Sequence, residues 1–521
     1  MTTETIATSA GAAAPGMSET LDVLVIGAGI SGLSAAWHLQ THCPDQRFAV
    51  LEARHTLGGT WSLFRYPGFR SDSDMYTLGF HFKPWREREA IVRGPAIWQY
   101  LREAAEEHGL ERHIRYGVRV LGANWNPRAA RWEVQAVRAV PPGSPGGAEE
   151  PLVFHCRFLF ACAGYYRYDH GHQPAFEGLT DFRGVHVHAQ QWPEALDVRG
   201  QRVVVIGSGA TAATLVPALA AEGAQVVLLQ RTPSYYFVVP ARDRIALALR
   251  RLLPERWAYA LTRAKNVALG AFLFRRSRSE PEKVRRFLLK QVAKALPAGQ
   301  PLSPHFTPPY GPWQQRLCLV PDADLFKAIA AGRAEVVTDH VERFTEHGLQ
   351  LQSGRELQAD IVVSATGLEL QLLGGAQVSL DGVPLETGQL VSYKGVMYAG
   401  VPNLAATFGY LAASWTLKAD LTSQYVCRLL NHLRDTGRQV ATPGAPPPGM
   451  ALEPFADFTS GYFQRAMHRL PRQGSEGPWK LYDAYADDRR RLLREPVDDG
   501  VMAFSGGPVG VAGQTPMARA A

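Results

Sequence analysis

Cysteine is scarce in this 521-residue chain. Only Cys43, Cys156, Cys162, Cys318 and Cys427 are present. No two of them stand as C-x-x-C, and they form no cluster with metal-ligand spacing, so neither a dithiol redox enzyme nor a cysteine-held metal is expected. An odd, scattered set fits a reducing cytosol. Long apolar runs are absent too: no stretch approaches the ~20 uninterrupted apolar residues of a membrane-spanning helix. The start of the chain lacks a basic segment followed by an apolar one, so no secretory signal is expected. Residues 1–20, rich in Ala, Thr, Ser and Gly, read as a disordered tail. Extreme charge is also lacking. Lys and Arg number 55 against 48 Asp and Glu, a net charge of +7. That excess suits anionic cofactors and does not imply nucleic acid as a partner. A cytoplasmic protein is expected.

What is present is patterned. Apolar content of 46% and a length of 521 residues support two or three globular domains. Leu21–Ile26 (LDVLVI) reads as a buried parallel strand, and GAGISG follows at once. In that turn Gly27 permits the tight bend, Gly29 lets backbone approach a pyrophosphate, and Gly32 lets helix and strand pack closely. The free amides of the following helix then face the phosphates. A second strand, FAVLE, ends in Glu52, whose carboxylate can accept from a ribose hydroxyl. Gly27, Gly29, Ser31, Gly32 and Glu52 are therefore candidate FAD contacts.

The pattern recurs at Arg202–Ile206, followed by Gly207, Ser208, Gly209, Ala210, Thr211 and Ala212. Where the first module has Glu52, the second has Arg231 and Thr232. A guanidinium and a hydroxyl there suit a ribose 2′-phosphate, which a glutamate would repel. The contrast assigns FAD to the first module and NADPH to the second. The expected fold is α/β, two Rossmann-like dinucleotide-binding domains with a helical insertion. The first FAD segment should span residues 21–165, a linker 166–200, and the first NADPH segment 201–240. Residues 241–305 are Leu/Ala/Arg/Lys-rich with apolar side chains at helical intervals. They read as an all-helical insertion, whose basic amphipathic faces suit bulk solvent or the surface of an anionic membrane. The second NADPH segment should cover 306–367, the second FAD segment 368–442, and a C-terminal extension 443–521. Pro141–Pro151 reads as a mobile hairpin tip. Gly58–Asp72 reads as an extended loop, and His113–Val120 as one return strand.

Two motifs go further. The linker contains F-x-G-x-x-x-H-x-x-x-W-P at Phe182, Gly184, His188, Trp192 and Pro193. The loop contains G-G-x-W-x-x-x-x-Y-P-G-x-x-x-D at Gly58, Gly59, Trp61, Tyr66, Pro67, Gly68 and Asp72. Both resemble signatures of the Baeyer–Villiger flavin monooxygenases. The similarity extends from about Leu21 to about Pro496, in SDSDMYTLGFHF, GYYRYDHGHQP, PPYGPWQQRLC and ASWTLKADL, and points to the subgroup that includes the mycobacterial ethionamide-activating enzyme. The resemblance implies that Gly59, Thr60 and Trp61 lie along the flavin, that Arg70, Ser71 and Asp72 approach flavin and nicotinamide, and that the backbone of Val120 touches the adenine. It places the catalytic arginine at Arg316, oriented by Asp72, and gives His188 a linker-holding role in place of proton transfer. Many relatives carry a lysine before that arginine; Gln315 stands here, so the preference for NADPH rests on Arg231 and Thr232. The implied reaction uses FAD, NADPH and dioxygen to convert ketones to esters and to oxygenate sulfides or thioamides. The alternatives are an N- or S-oxygenating enzyme with little ketone activity, or an uncoupled NADPH oxidase. Monomer and homo-oligomer both remain open.

Overall fold

The computed structural model describes residues 18–139 and 149–506. Most of the expected N-terminal tail and of the Pro141–Pro151 tip lies outside the described residues. Two sheets organise the chain. The first has nine strands. At its centre Ser18–Ile26 runs parallel to Phe48–Glu52 on one side and to Glu150–Ala161 on the other. The meander Val118–Asn126, Arg131–Arg138 and Glu150–Ala161 extends it antiparallel. Gln377–Leu380 and Leu404–Ala406, from late in the chain, return to the same sheet. The second sheet is wholly parallel. Its order is Ala334–Thr338, Gln225–Gln230, Arg202–Ile206, Ile361–Ser364 and Val185–His188. Val185–His188 belongs to the linker motif, so His188 sits on an edge strand of this sheet.

The central strands are near-continuous apolar runs because both faces are covered. Val23, Leu24 and Val25 are fully buried, as are Val204 and Val205. Each central strand feeds a glycine turn and then a helix, Ile30–His42 in the first case and Ala210–Ala221 in the second. A long helix, Trp415–Asp435, packs against Ile30–His42. Its Asp420 is buried and accepts from His38 Nε2 at 2.9 Å and His81 Nδ1 at 2.6 Å. Burial alone would raise this carboxyl; the two imidazoles overcome that and hold it well below the usual carboxylate range. The helix is thereby pinned over the first glycine turn, where Trp415 Nε1 donates to Ser31 Oγ at 2.7 Å.

Two expectations need correction. The return strand is two strands, Ile114–Tyr116 and Val118–Asn126, because Gly117 at φ +69 breaks the run between them. The Gly58–Asp72 loop holds one helical turn, Thr60–Leu63, entered through Gly59 at φ +55. The segment beyond Pro443 packs closely on the rest of the chain: Val440–Pro443 pairs with Met502–Ser505, and Tyr485–Leu493 lies on Trp415–Asp435. The insertion consists of Arg244–Leu252, Glu255–Ser279 and Pro281–Ala295, all helical.

Asn403 ties the late strands to the sheet. Its side chain is buried, donates to the carbonyls of Arg157 (2.8 Å) and Gln439 (2.9 Å), and accepts from the amide of Ala441 (2.8 Å). Its φ of +47 is one that asparagine tolerates better than alanine. Asn403→Ala strands three backbone groups, so it should cost roughly 2–4 kcal/mol. Urea unfolding of the holoprotein checks this; an unchanged midpoint would contradict it.

Candidate active site

The two glycine turns are near-copies of each other. Gly29 caps the first helix at φ −75, ψ −171, and Gly209 caps the second at φ −74, ψ −172. Neither cap makes a side-chain hydrogen bond, and neither first turn contains an acidic residue. Both helix N-termini therefore keep their amides and positive dipole ends for an anion. A Cβ on Gly32 would lie 1.8 Å from the Gly27 carbonyl oxygen, so only glycine allows this helix to pack on its own turn.

A cavity of about 730 Å³ opens in front of the first turn. Gly27, Gly29, Ser31, Glu52, Gly59, Thr60, Trp61, Arg70, Ser71, Asp72, Val120, Ala210, Thr211 and Arg316 all line it. Residues separated by nearly 300 positions are thus brought to one space. Gly32 lies buried beneath it. Gly207, Ser208, Gly209, Ala212, Arg231 and Thr232 fall outside its walls. Of these, Ser208 spends its hydroxyl on the Thr232 carbonyl at 2.7 Å, and Ala212 is buried in helix packing. Arg231 is exposed and makes no ion pair among the described residues, which leaves it free for an incoming phosphate. Glu52 is buried and accepts from the amides of Ala28 (2.8 Å) and Arg54 (2.9 Å), so its carboxylate is fixed. Burial raises its pKa and the two amides only partly offset that, which favours a further hydrogen-bond donor such as a ribose hydroxyl. The uncapped turns, the fixed carboxylate and the cavity's size fit a dinucleotide.

The cation of the cavity is Arg316. Its Nε donates to Asp72 Oδ2 at 2.6 Å, Nη2 lies 2.5 Å from the same oxygen, and Nη1 donates to the Leu411 carbonyl at 3.2 Å. Burial works against the guanidinium charge, but Asp72 together with the oxygens of Tyr462, Tyr165 and Tyr166 outweighs it and keeps the group protonated. Arg70, three positions before Ser73 in the same loop, is gripped by both oxygens of Asp324. Tyr165 and Tyr166 flank the arginine. Their hydroxyls are 3.0 Å apart, and burial pushes both pKa values up, so they stay neutral. Tyr165 stacks on Trp415 with ring centroids 4.9 Å apart.

Comparison with known proteins shows the family. The FAD-containing monooxygenase EthA of Mycobacterium tuberculosis (strain ATCC 25618 / H37Rv) is 49% identical over 498 residues, covering 95% of this chain and 100% of the relative. The chain belongs to the FAD-containing monooxygenases. A probable FAD-binding monooxygenase, AlmA, of Acinetobacter baylyi is 45% identical over 94% of this chain and 97% of its own length. The flavin-binding monooxygenase-like family model matches residues 85–276. An NAD(P)-binding Rossmann-like domain model matches residues 25–93, the module whose Glu52 suits FAD; that match reports the shared fold of the two modules. Among solved structures, an oxidized steroid monooxygenase bound to NADP superposes with a TM-score of 0.71 at 21% identity, over 94% of this chain and 100% of that one. The chain is thus a flavin-dependent oxidoreductase with FAD and a nicotinamide dinucleotide as cofactors.

Several residues of this monooxygenase site escape sequence reasoning. Asp324 and Leu411 act through tertiary contacts alone, one through its side chain and the other through its carbonyl. Trp415 and the tyrosine pair lie inside the quoted motifs, which gave them no role. Asp483 also belongs here. Its Oδ1 accepts from the amide of Leu411 at 3.2 Å, so the backbone of one residue meets Asp483 through its N–H and Arg316 through its carbonyl. Burial, with Asp488 nearby, pushes its carboxyl up to about 6, against the Leu411 amide, Lys418 and Arg316, which pull it down. A carboxyl raised above its unfolded value favours folding at low pH and loses that contribution as pH rises through about 6. Asp483→Asn keeps the acceptor and cannot ionise. Its melting temperature should therefore gain on the parent between pH 5 and pH 8; a gap that stays constant would refute the assignment.

Proposed function

We propose that this monooxygenase is a Baeyer–Villiger enzyme that takes NADPH as reductant. It converts a ketone to an ester and also oxygenates the sulfur of sulfides and thioamides. The observation that carries this reading is the permanent cation Arg316, braced by Asp72 in the cavity bordered by the first glycine turn and by Ala210 and Thr211 at the start of the second module's helix. The balance is one ketone, one dioxygen, one NADPH and one proton, giving one ester, one water and one NADP⁺. Bound FAD, once reduced, supplies the activation of dioxygen.

The chain supplies position and charge. Oxygen insertion beside a carbonyl builds negative charge on the carbonyl oxygen, and a preorganised cation is the largest single aid to such a step. Arginine does not release its proton, so Arg316 steadies an anion without acting as an acid. Asp72 and the Leu411 carbonyl fix its orientation, and N–H groups not engaged by them remain for the substrate. Glu52, Gly27, Gly29 and Ser31 would hold FAD, with Thr60, Trp61 and Val120 along its length. Gly207–Ala212 would receive the NADPH pyrophosphate, with Arg231 and Thr232 at its 2′-phosphate. His188 takes no proton here. It is buried on the edge strand and lines no part of the cavity, and its Nδ1 accepts from the Gln190 amide at 3.2 Å. Burial pushes its pKa down.

Arg316→Ala should retain FAD and consume NADPH while ester formation from a ketone falls by about 10²-fold or more. Product analysis beside a thioether separates the readings. Wild-type ester formation in the variant ends the role of Arg316, and a parent that oxygenates only sulfur ends the ketone reading. Arg231→Ala should raise KM for NADPH on the order of tenfold and leave that for NADH unchanged, since only the former carries the 2′-phosphate. Equal effects on both would place the phosphate elsewhere.

A further inference from the structure

Eleven large hydrophobic side chains are exposed among the described residues, and seven of them fall in the helical insertion. They are Ile245, Leu252, Trp257, Leu261, Leu269, Phe272 and Phe287, with Leu252 at 78% and Trp257 at 60% exposure. The middle helix, Glu255–Ser279, arranges them. Its inner face is fixed by buried Ala258, Tyr259 and Thr262, with Tyr259 donating to the Phe80 carbonyl. The opposite arc carries Trp257, Leu261, Ala264, Ala268 and Phe272, all exposed and all apolar, at helical spacing. That stripe is roughly 24 Å long at 1.5 Å per residue. A solvated helix puts its polar residues on this face; this one reverses the pattern.

Charge decides what covers it. Residues 244–295 hold 14 Lys and Arg against three Glu, a local excess of 11 in a chain whose total is +7. Two of the glutamates are already engaged, Glu255 by Arg86 and Glu280 by Arg276 and Lys283. Arg244, Arg251, Arg256, Arg275, Arg286 and Lys290 are exposed with no carboxylate partner among the described residues. A second copy docking symmetrically would set this excess against itself. An anionic lipid surface meets both demands, apolar side chains entering the acyl boundary and guanidinium groups lying at the headgroups. No helix among the described residues is long and apolar enough to cross a membrane, so the contact is with one leaflet.

We propose that the outer face of Glu255–Ser279, flanked by the basic residues of the insertion, is a docking surface for an anionic lipid bilayer. The C-terminal end of the same helix contributes Phe274 and Arg278 to a second cavity of about 280 Å³, which shares Tyr410 with the first. An apolar substrate dissolved in the bilayer would then have a short route toward Arg316. That route rests on the proposed reaction, whereas docking does not.

Co-sedimentation of the full-length holoprotein with phosphatidylglycerol/phosphatidylcholine vesicles tests docking without reference to turnover. Binding should be strong on anionic vesicles and weak on pure phosphatidylcholine, and should fall as salt is raised. Trp257→Glu with Phe272→Glu should lower partitioning at least tenfold while flavin content and NADPH oxidation in solution stay at parental levels. Arg251→Gln with Arg256→Gln and Arg275→Gln should weaken it with a shallower salt dependence. Absence of binding, equal binding by the parent and the glutamate variant, or a parent dimer in analytical ultracentrifugation that the glutamate variant dissociates would each overturn the proposal.

Discussion

The ion pair between Asp72 and Arg316 spans 244 positions of chain and sets where the two halves of the cavity meet. Isolated surface pairs contribute little, because solvent screens them and side-chain entropy opposes them. This pair is half-buried, its carboxylate oxygen receives two N–H groups, and a backbone carbonyl takes a third. Removing Asp72 would leave a largely desolvated cation with one neutral partner, so the pair is better regarded as a positional constraint than as a source of stability. Arg70 with Asp324 makes a second tie between the same two stretches. Two charged tethers from one loop restrict rotation as well as distance, and they hold Thr60 and Trp61 in the shared wall.

What could be read from residues alone follows from the range of the forces involved. The glycine turns were legible because their demands are local: a positive φ at Gly27 and Gly207, and a Cβ-free approach at Gly32, are properties of a few consecutive residues. Glu52 closes its strand, whereas the equivalent place in the second module is held by Gln230 and Arg231 comes one residue later. The break at Gly117 was missed because the apolar pattern continues across it. Asp324, Leu411 and Asp483 act through partners far away in sequence, and Leu411 acts through backbone, which carries no mark of residue type. The burial of His188 on an edge strand depends on Gly171, where a Cβ would lie 2.0 Å from the imidazole.

An oxygen-activating site sets a further requirement on sulfur. Cys162 lines the large cavity, and Cys318 stands two residues after Arg316. Burial pushes both thiols up to about 12, with Asp72 adding to the effect at Cys318. A thiol held protonated is a poor nucleophile and oxidises slowly.

The second cavity draws on different residues from the first, sharing Tyr410 with it. The second cavity is walled by Phe274, Trp313, Phe408, Phe455, Phe458 and Tyr482, drawn from the insertion, the segment before Arg316, the late strands and the C-terminal extension. None of these stretches has the strict spacing that a phosphate or a ribose imposes, because an apolar wall needs only volume and shape. At its inner end Lys418 and Asp488 are paired at 2.7 Å, and Tyr410 donates to Asp488 at 2.8 Å, so the polar groups there are already satisfied. A ligand entering this space gains from apolar contact and finds few unpaired donors or acceptors to recognise. The wall also bears on the arginine's surroundings, since Phe408 stacks on Tyr165 with ring centroids 5.0 Å apart and Leu411, whose carbonyl accepts from Arg316, lines this cavity too.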